Sequence, residues 1–242
     1  KQVTACSYRD LETMTGIDYS TFVKFRQRLI KKLWFPAIFK KLVDSIADNL
    51  KDLTLIIDSS FVQTYSKKDE EGSEYFGYKK KNGFKLHQAI DYKTRLPLLQ
   101  FCTPGARADI VWGGNLVRAA PKNWKVKSVL ADKGYDADHF VHDIRLKWKK
   151  AKVGIPLRRL VYPGNWLNQF LRRWPRSLNP KLLNKRTEIE RYFSRKKNVF
   201  NLGEERTRHL KNFRANCYLT SIMEILEWMS RVIGLFAMLA LR

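Results

Sequence analysis

LTLIIDSS, residues 53–60, is a near-continuous apolar run, rich in β-branched residues, that ends on an aspartate and two serines. A run this short and this apolar reads as a strand buried on both faces, the kind found inside an α/β layer. Asp58 then stands at the C-terminal end of that strand, at the rim where open α/β sheets place their ligands. Working outward, KSVLAD (127–132) has the same form and ends on Asp132. GFKLHQAIDYKTRLPLLQFCTPG (83–105) reads as two strands turning at DYKTR, and KVGIPL (152–157) as a fifth. VWGGNLVRAA (111–120) reads as a helix despite its paired glycines. Further helices are expected at 137–150 and 184–200, and a long apolar one closes the chain from about 213. Three strands, a helix, then alternating strand and helix predict an α/β fold with a mixed five-stranded sheet flanked by helices.

The chain has 242 residues, 44% of them hydrophobic, enough for a substantial core. A net charge of +24 and a pI near 10.1 point to a polyanionic partner. The longest apolar run, VIGLFAMLAL (232–241), is half the length of a membrane span, so no membrane partner is expected and nucleic acid leads. Three dispersed cysteines, Cys6, Cys102 and Cys217, fit a reducing compartment and no zinc knuckle. A cytoplasmic, nucleoid-associated protein is the expectation. The sequence starts at Lys1, not Met, so a missing N-terminal piece is expected.

Residues 7–33 read as two helices around a turn at Gly16, with Asp18 or Ser20 capping the second. Leu11 and Met14 would face inward on the first helix, and Phe22, Phe25 and Leu29 on the second, leaving Lys24 and Arg28 to solvent. With no acidic residue from Tyr19 to Val43, this segment looks like a helix-turn-helix reader with a cationic helix for the major groove. The expected organisation is a helical DNA-binding region over 1–50 and a catalytic domain over 51–242, with a basic insertion around 157–182. Between Ile144 and Thr187 there are thirteen Lys and Arg and no acid; Trp166 and Trp174 lie among Arg172, Arg173 and Arg176. Such a mixture suits a DNA-backbone groove with stacking platforms, although either tryptophan could instead be local core under a loop.

Two strand-end aspartates in so basic a chain invite a joint explanation. Two divalent ions can activate a nucleophile and stabilise a leaving oxygen in phosphodiester chemistry, and such ions take carboxylate oxygens from several segments. NKRTEIERYFSRKK (184–197) offers the third. At roughly 100° per residue with Glu190 at zero, Ile189, Phe193 and Phe200 form one apolar stripe, and Arg186 and Lys197 flank Glu190. Glu188 falls near 160°, where it would be a solvent charge beside Lys185 or Arg195. Arg186 and Lys197 would hold phosphates. Asp109 is placed to cap the following helix or to support the site; His87 reads as a structural histidine. The acids and histidines of DADHFVHD (136–143) read as a helix start, not a zinc site.

These residues resemble DDE transposases of prokaryotic insertion sequences, in the branch whose last catalytic segment carries Y-x2-R-x3-E-x6-K. Arg186, Glu190 and Lys197 match that segment. Asp132, Gly134 and Tyr135 match D-x-G-Y, and Asp58, Ser59 and Ser60 match D-[GS]-[ST]. The hairpin region and the YRDLETMTGIDYSTF segment are similar too. Leu183 stands where the signature has Tyr, a change that would weaken strand handling and spare the metal ligands. The resemblance implies an RNase H-like catalytic fold, with Asp58, Asp132 and Glu190 as ligands of two Mg²⁺ (or Mn²⁺) ions. It implies cleavage at the ends of a mobile element by water, then in-line attack of the freed 3′-hydroxyl on target DNA. Partners would be double-stranded DNA, as terminal repeats and target, and a second copy of the chain when assembled on DNA. By analogy with relatives carrying larger insertions, Trp166 or Trp174 would stack on a flipped base. Two rivals share these features: a catalytically silent DNA-binding protein derived from a transposase, and a structure-specific nuclease on the same fold. A basic ribosomal-type RNA binder would not need strand-end aspartates.

Overall fold

The computed structural model of the chain describes residues 6–47, 50, 52–64, 72–158, 166–174, 176–205 and 208–240. Three helices open it: α1 (Tyr8–Thr15), α2 (Tyr19–Lys31) and α3 (Trp34–Ala47). Ser7 and Asp10 form a capping box at the start of α1, and Gly16 ends it in the left-handed conformation open to glycine (φ 69°). Asp18 caps α2 through the Ser20 amide. The inward face of α2 differs from the expected one. Phe25 and, on α1, Met14 are exposed, whereas Arg26 turns inward and donates to the Asn216 side chain at 2.6 Å. Leu29 and Ile30 pack against the core, so α2 docks through a short apolar contact together with this polar bond to the last helix.

The strands follow: β1 (Leu53–Thr64), β2 (Glu74–Phe76), β3 (Lys81–Asp91), β4 (Pro97–Pro104), β5 (Val126–Ala131), β6 (Lys152–Gly154) and β7 (Glu204–Glu205). The helices between and after them are α4 (Asp109–Ala119), α5 (Asp138–Lys147), α6 (Trp166–Arg173), α7 (Pro180–Leu183), α8 (Thr187–Asn198) and α9 (Leu210–Ala240). The sheet runs β4-β3-β1-β5-β6, antiparallel across β4, β3 and β1 and parallel across β1, β5 and β6. This mixed sheet flanked by helices matches expectation, except that the short strands β2 and β7 extend it to seven.

Strand alternation divides the core. Leu55, Ile57, Val129 and Ala131 pack on one face with α3, α4, α5 and α9, while Ile56, Leu130, Phe84 and Leu86 pack on the other with α8. α3 contributes Phe35, Phe39, Val43 and Ile46 to the first cluster, so the helical segment shares the core of the sheet.

Candidate active site

The β1–β5 register pairs Ile57 with Ala131, which makes Asp58 and Asp132 the next residues of two neighbouring parallel strands. Adjacent strands lie ~4.8 Å apart. By alternation both carboxylates share the face of Ile56 and Leu130, the face that α8 covers. Asp132 accepts the Gly134 amide at 2.7 Å, and a Cβ at Gly134 would meet the same carboxylate oxygen at 2.7 Å. Only glycine leaves that turn open. The Ser59 amide donates to Asp58 at 2.8 Å. Burial pushes the Asp58 carboxyl up to about 7 against the pull of that hydrogen bond; Asp132 and Asp109 add repulsion, and Arg186 partly offsets it.

Arg186 joins this pair to the third predicted acid. It acts on Asp58 and lies 3.6 Å from Glu190, whose side chain is 62% exposed. Glu190 is thus linked to Asp58 through Arg186, toward which its carboxylate is turned. Among the described residues no group of three His, Cys, Asp or Glu is gathered as a metal cage. The apolar stripe of α8 is as expected, with Ile189 and Phe193 buried; Phe200 is buried too, although the helix is shorter than the expected 184–200 and ends at Asn198. Glu188 is a correction. It is buried and held by Arg95 and Arg191, because the β3–β4 turn and α9 cover the side of α8 that looked like solvent. Its expected partner Arg195 pairs with Glu227 instead. Lys197 is half-buried; burial, then Lys79, depress its pKa.

Two networks were missed by sequence reading. On the opposite face of the sheet, Asp109 accepts from Ser59 Oγ at 2.7 Å and from the buried Lys85 Nζ at 3.0 Å. It is not the helix cap; Ala108 holds the cap position of α4 without a side-chain bond. His87 lies 3.7 Å from Asp109, bonds Thr103 and has its pKa lowered to about 4 by burial, a neutral structural histidine. The Tyr135 ring packs where a Cβ at Gly113 would sit, which accounts for the first glycine of the pair inside α4. On the α8 face, Gln88 pairs across β1 with Asp58 and bonds Gln100. Beyond it the fully buried Lys196 reaches Ser221 at 2.6 Å, Tyr192 at 2.7 Å and Glu224 at 3.2 Å. The only sequence signal was Lys196 falling close to the apolar stripe of α8.

Lys24 and Arg28 are exposed on α2. Trp166 and Trp174 are each 76% exposed on and just after α6, so neither is local core. Arg176, expected in the same basic groove, is buried against Asp136 and Asp138, acids from the helix start that follows Asp132. Residues 159–165 and 175 of the predicted insertion lie outside the described residues. No described helix is long and apolar enough to cross a membrane.

Residues 49–224 match the family model described as Transposase DDE domain. No curated protein matches the chain.

Proposed function

Because the chain belongs to the Transposase DDE domain family, we propose that it is a DNA transposase of the insertion-sequence branch with the Y-R-E-K signature, cutting the ends of its own mobile element and joining them to target DNA. One observation carries this reading. Asp58 and Asp132 directly follow the paired Ile57 and Ala131, on the sheet face covered by α8, which bears Glu190 and is preceded directly by Arg186. Asp58, Asp132 and Glu190 would hold two divalent ions, Mg²⁺ or Mn²⁺, and an all-carboxylate donor set with one displaced pKa suits such hard cations. Bound ions of this kind activate the attacking oxygen and stabilise the leaving one.

The remaining roles fall to the chain's own groups. Arg186 balances the carboxylates and is positioned to fork onto a phosphate at the site. Lys197, half-buried near the C-terminal end of α8, adds a second cation. Lys24 and Arg28 on α2 would meet the terminal repeat in the major groove, and the exposed indoles of Trp166 and Trp174 offer base-stacking platforms. The division at residue 50 is then one of task and not of packing, since α3 belongs to the common core. A homodimer assembled on DNA would bring two such sites to the two ends.

The test is cleavage and joining of a duplex carrying the element's end. D58N, D132N and E190Q should each lower turnover by at least ~10³-fold, while end-binding affinity stays within a few-fold of wild type. An active E190Q or Glu190→Ala protein would remove Glu190 from the site. Loss of cleavage with full joining of pre-cleaved ends would contradict a shared centre.

A further inference from the structure

Away from the carboxylates, the β3–β4 turn, α8 and α9 enclose a cleft of about 280 Å³. Arg95, Arg191, Arg195 and Arg231 line it together with Trp228. Two carboxylates organise these arginines. Glu188 takes Arg95 at 2.8 Å and Arg191 at 2.6 Å, and Glu227 takes Arg195 at 2.6 Å and Arg231 at 2.5 Å. The third acid, Glu224, is engaged by the buried Lys196 and by Tyr192. Four guanidiniums therefore share two bridging carboxylates. Each guanidinium has five N–H donors, far more than one carboxylate contact uses, and the four side chains remain 42% to 71% exposed. The cleft thus offers a positive excess with donors to spare. Arg95 also holds a left-handed backbone (φ 58°), a costly state for a non-glycine residue that persists where surrounding contacts impose it.

We propose that this cleft takes a phosphate of a DNA backbone, on a segment other than the one presented to Asp58 and Asp132. The inference rests on the DNA-acting reading above. Two placements separate it from the reaction centre. The turn lies at the end of the sheet where β1 begins, with Tyr92 bonded to Thr54, whereas Asp58 lies four residues further along β1 and Asp132 just past the C-terminal end of β5. On α8, Arg191 and Arg195 stand roughly 100° and 140° around the axis from Glu190. Forked guanidiniums match phosphate oxygens, and a chain of net charge +24 selects a polyanion over an isolated acidic side chain.

R191Q/R231Q tests this, because Glu188 keeps Arg95 and Glu227 keeps Arg195. Fluorescence anisotropy with a duplex across a salt series should show affinity falling ~10-fold, and the slope of log K against log salt flattening by about 1 to 2. The melting temperature should stay within a few degrees of wild type. A folded variant with wild-type affinity and slope overturns the cleft alone; wild-type protein that binds no duplex overturns the DNA-acting reading and the cleft with it. If competition by inorganic phosphate or binding to polyglutamate is lost while duplex binding is unchanged, the ligand is a free anion or an acidic protein, and the proposal fails. Should R191Q/R231Q not fold, R191K/R231K keeps the charges but loses the forks, and a fall of about threefold is expected in its place; an unchanged affinity there also overturns it.

Discussion

Asp58 concentrates the electrostatic strain of the molecule. Its carboxyl is raised to about 7, first by burial and then by Asp132 and Asp109. A raised carboxyl favours the fold when protonated, so this contribution is fully present below the ordinary carboxylate range and is lost progressively as pH climbs from about 4 through about 7. From 3.8 to about 7 the displacement corresponds to roughly 4 kcal/mol. With EDTA present, the wild-type melting temperature should fall between about pH 4 and about pH 7 relative to that of D58N, whose profile should be flatter there. Mg²⁺ should restore stability at pH 8 in wild type only. Parallel profiles for the two proteins would remove the raised Asp58 carboxyl from the account. Glycine is explained at this scale as well: Gly134 leaves room for the Asp132 carboxylate and Gly113 for the Tyr135 ring.

Helix α8 is held on two sides, and this explains both its correct and its mistaken reading. Ile189 and Phe193 press on the sheet, while Lys196, Tyr192 and Glu224 tie α8 to α9 through a buried polar network that ends on Gln88, the cross-strand neighbour of Asp58. Removing one partner of a buried ion pair strands the other. K196M should therefore cost roughly 3 kcal/mol in urea unfolding, and K196M/E224L should recover most of it because no charge is then left without a partner. A K196M protein as stable as wild type would mean that Lys196 is not charged inside the fold. The periodicity that found the apolar stripe of α8 also sent Glu188 to solvent, since it carries no information about a second helix packing behind.

Across the whole molecule, the N-terminal helices divide unequally. α1, α2 and the turn between them expose Met14, Phe25 and Ile17 and dock through the partly buried Leu29 and Ile30 and the Arg26 bond, whereas α3 buries Phe35, Phe39, Val43 and Ile46 in the principal core. Each large buried side chain contributes ~1.5–3 kcal/mol, so losing the four approaches the ~5–15 kcal/mol stability of a typical domain. A protein spanning 34–242 should fold and bind element ends weakly; one spanning 51–242 should not give a cooperative melt. A cooperative transition in the shorter protein would make the catalytic domain independent of α3.

The order of the main strands and helices, the aspartates on two apolar strands and the nucleic-acid partner class were legible in the sequence, because apolar period and net charge are local or additive properties; the strand end expected at Asp58 was not, since β1 runs on to Thr64 through its pairing with β3. The pairing of Ile57 with Ala131, the burial of Glu188 and Arg176, the Asp109 network and the arginine cleft depend on which elements become neighbours. Only the tertiary structure decides that. A charged side chain's environment is set by what packs against it from distant parts of the chain, and no spacing along the chain records it.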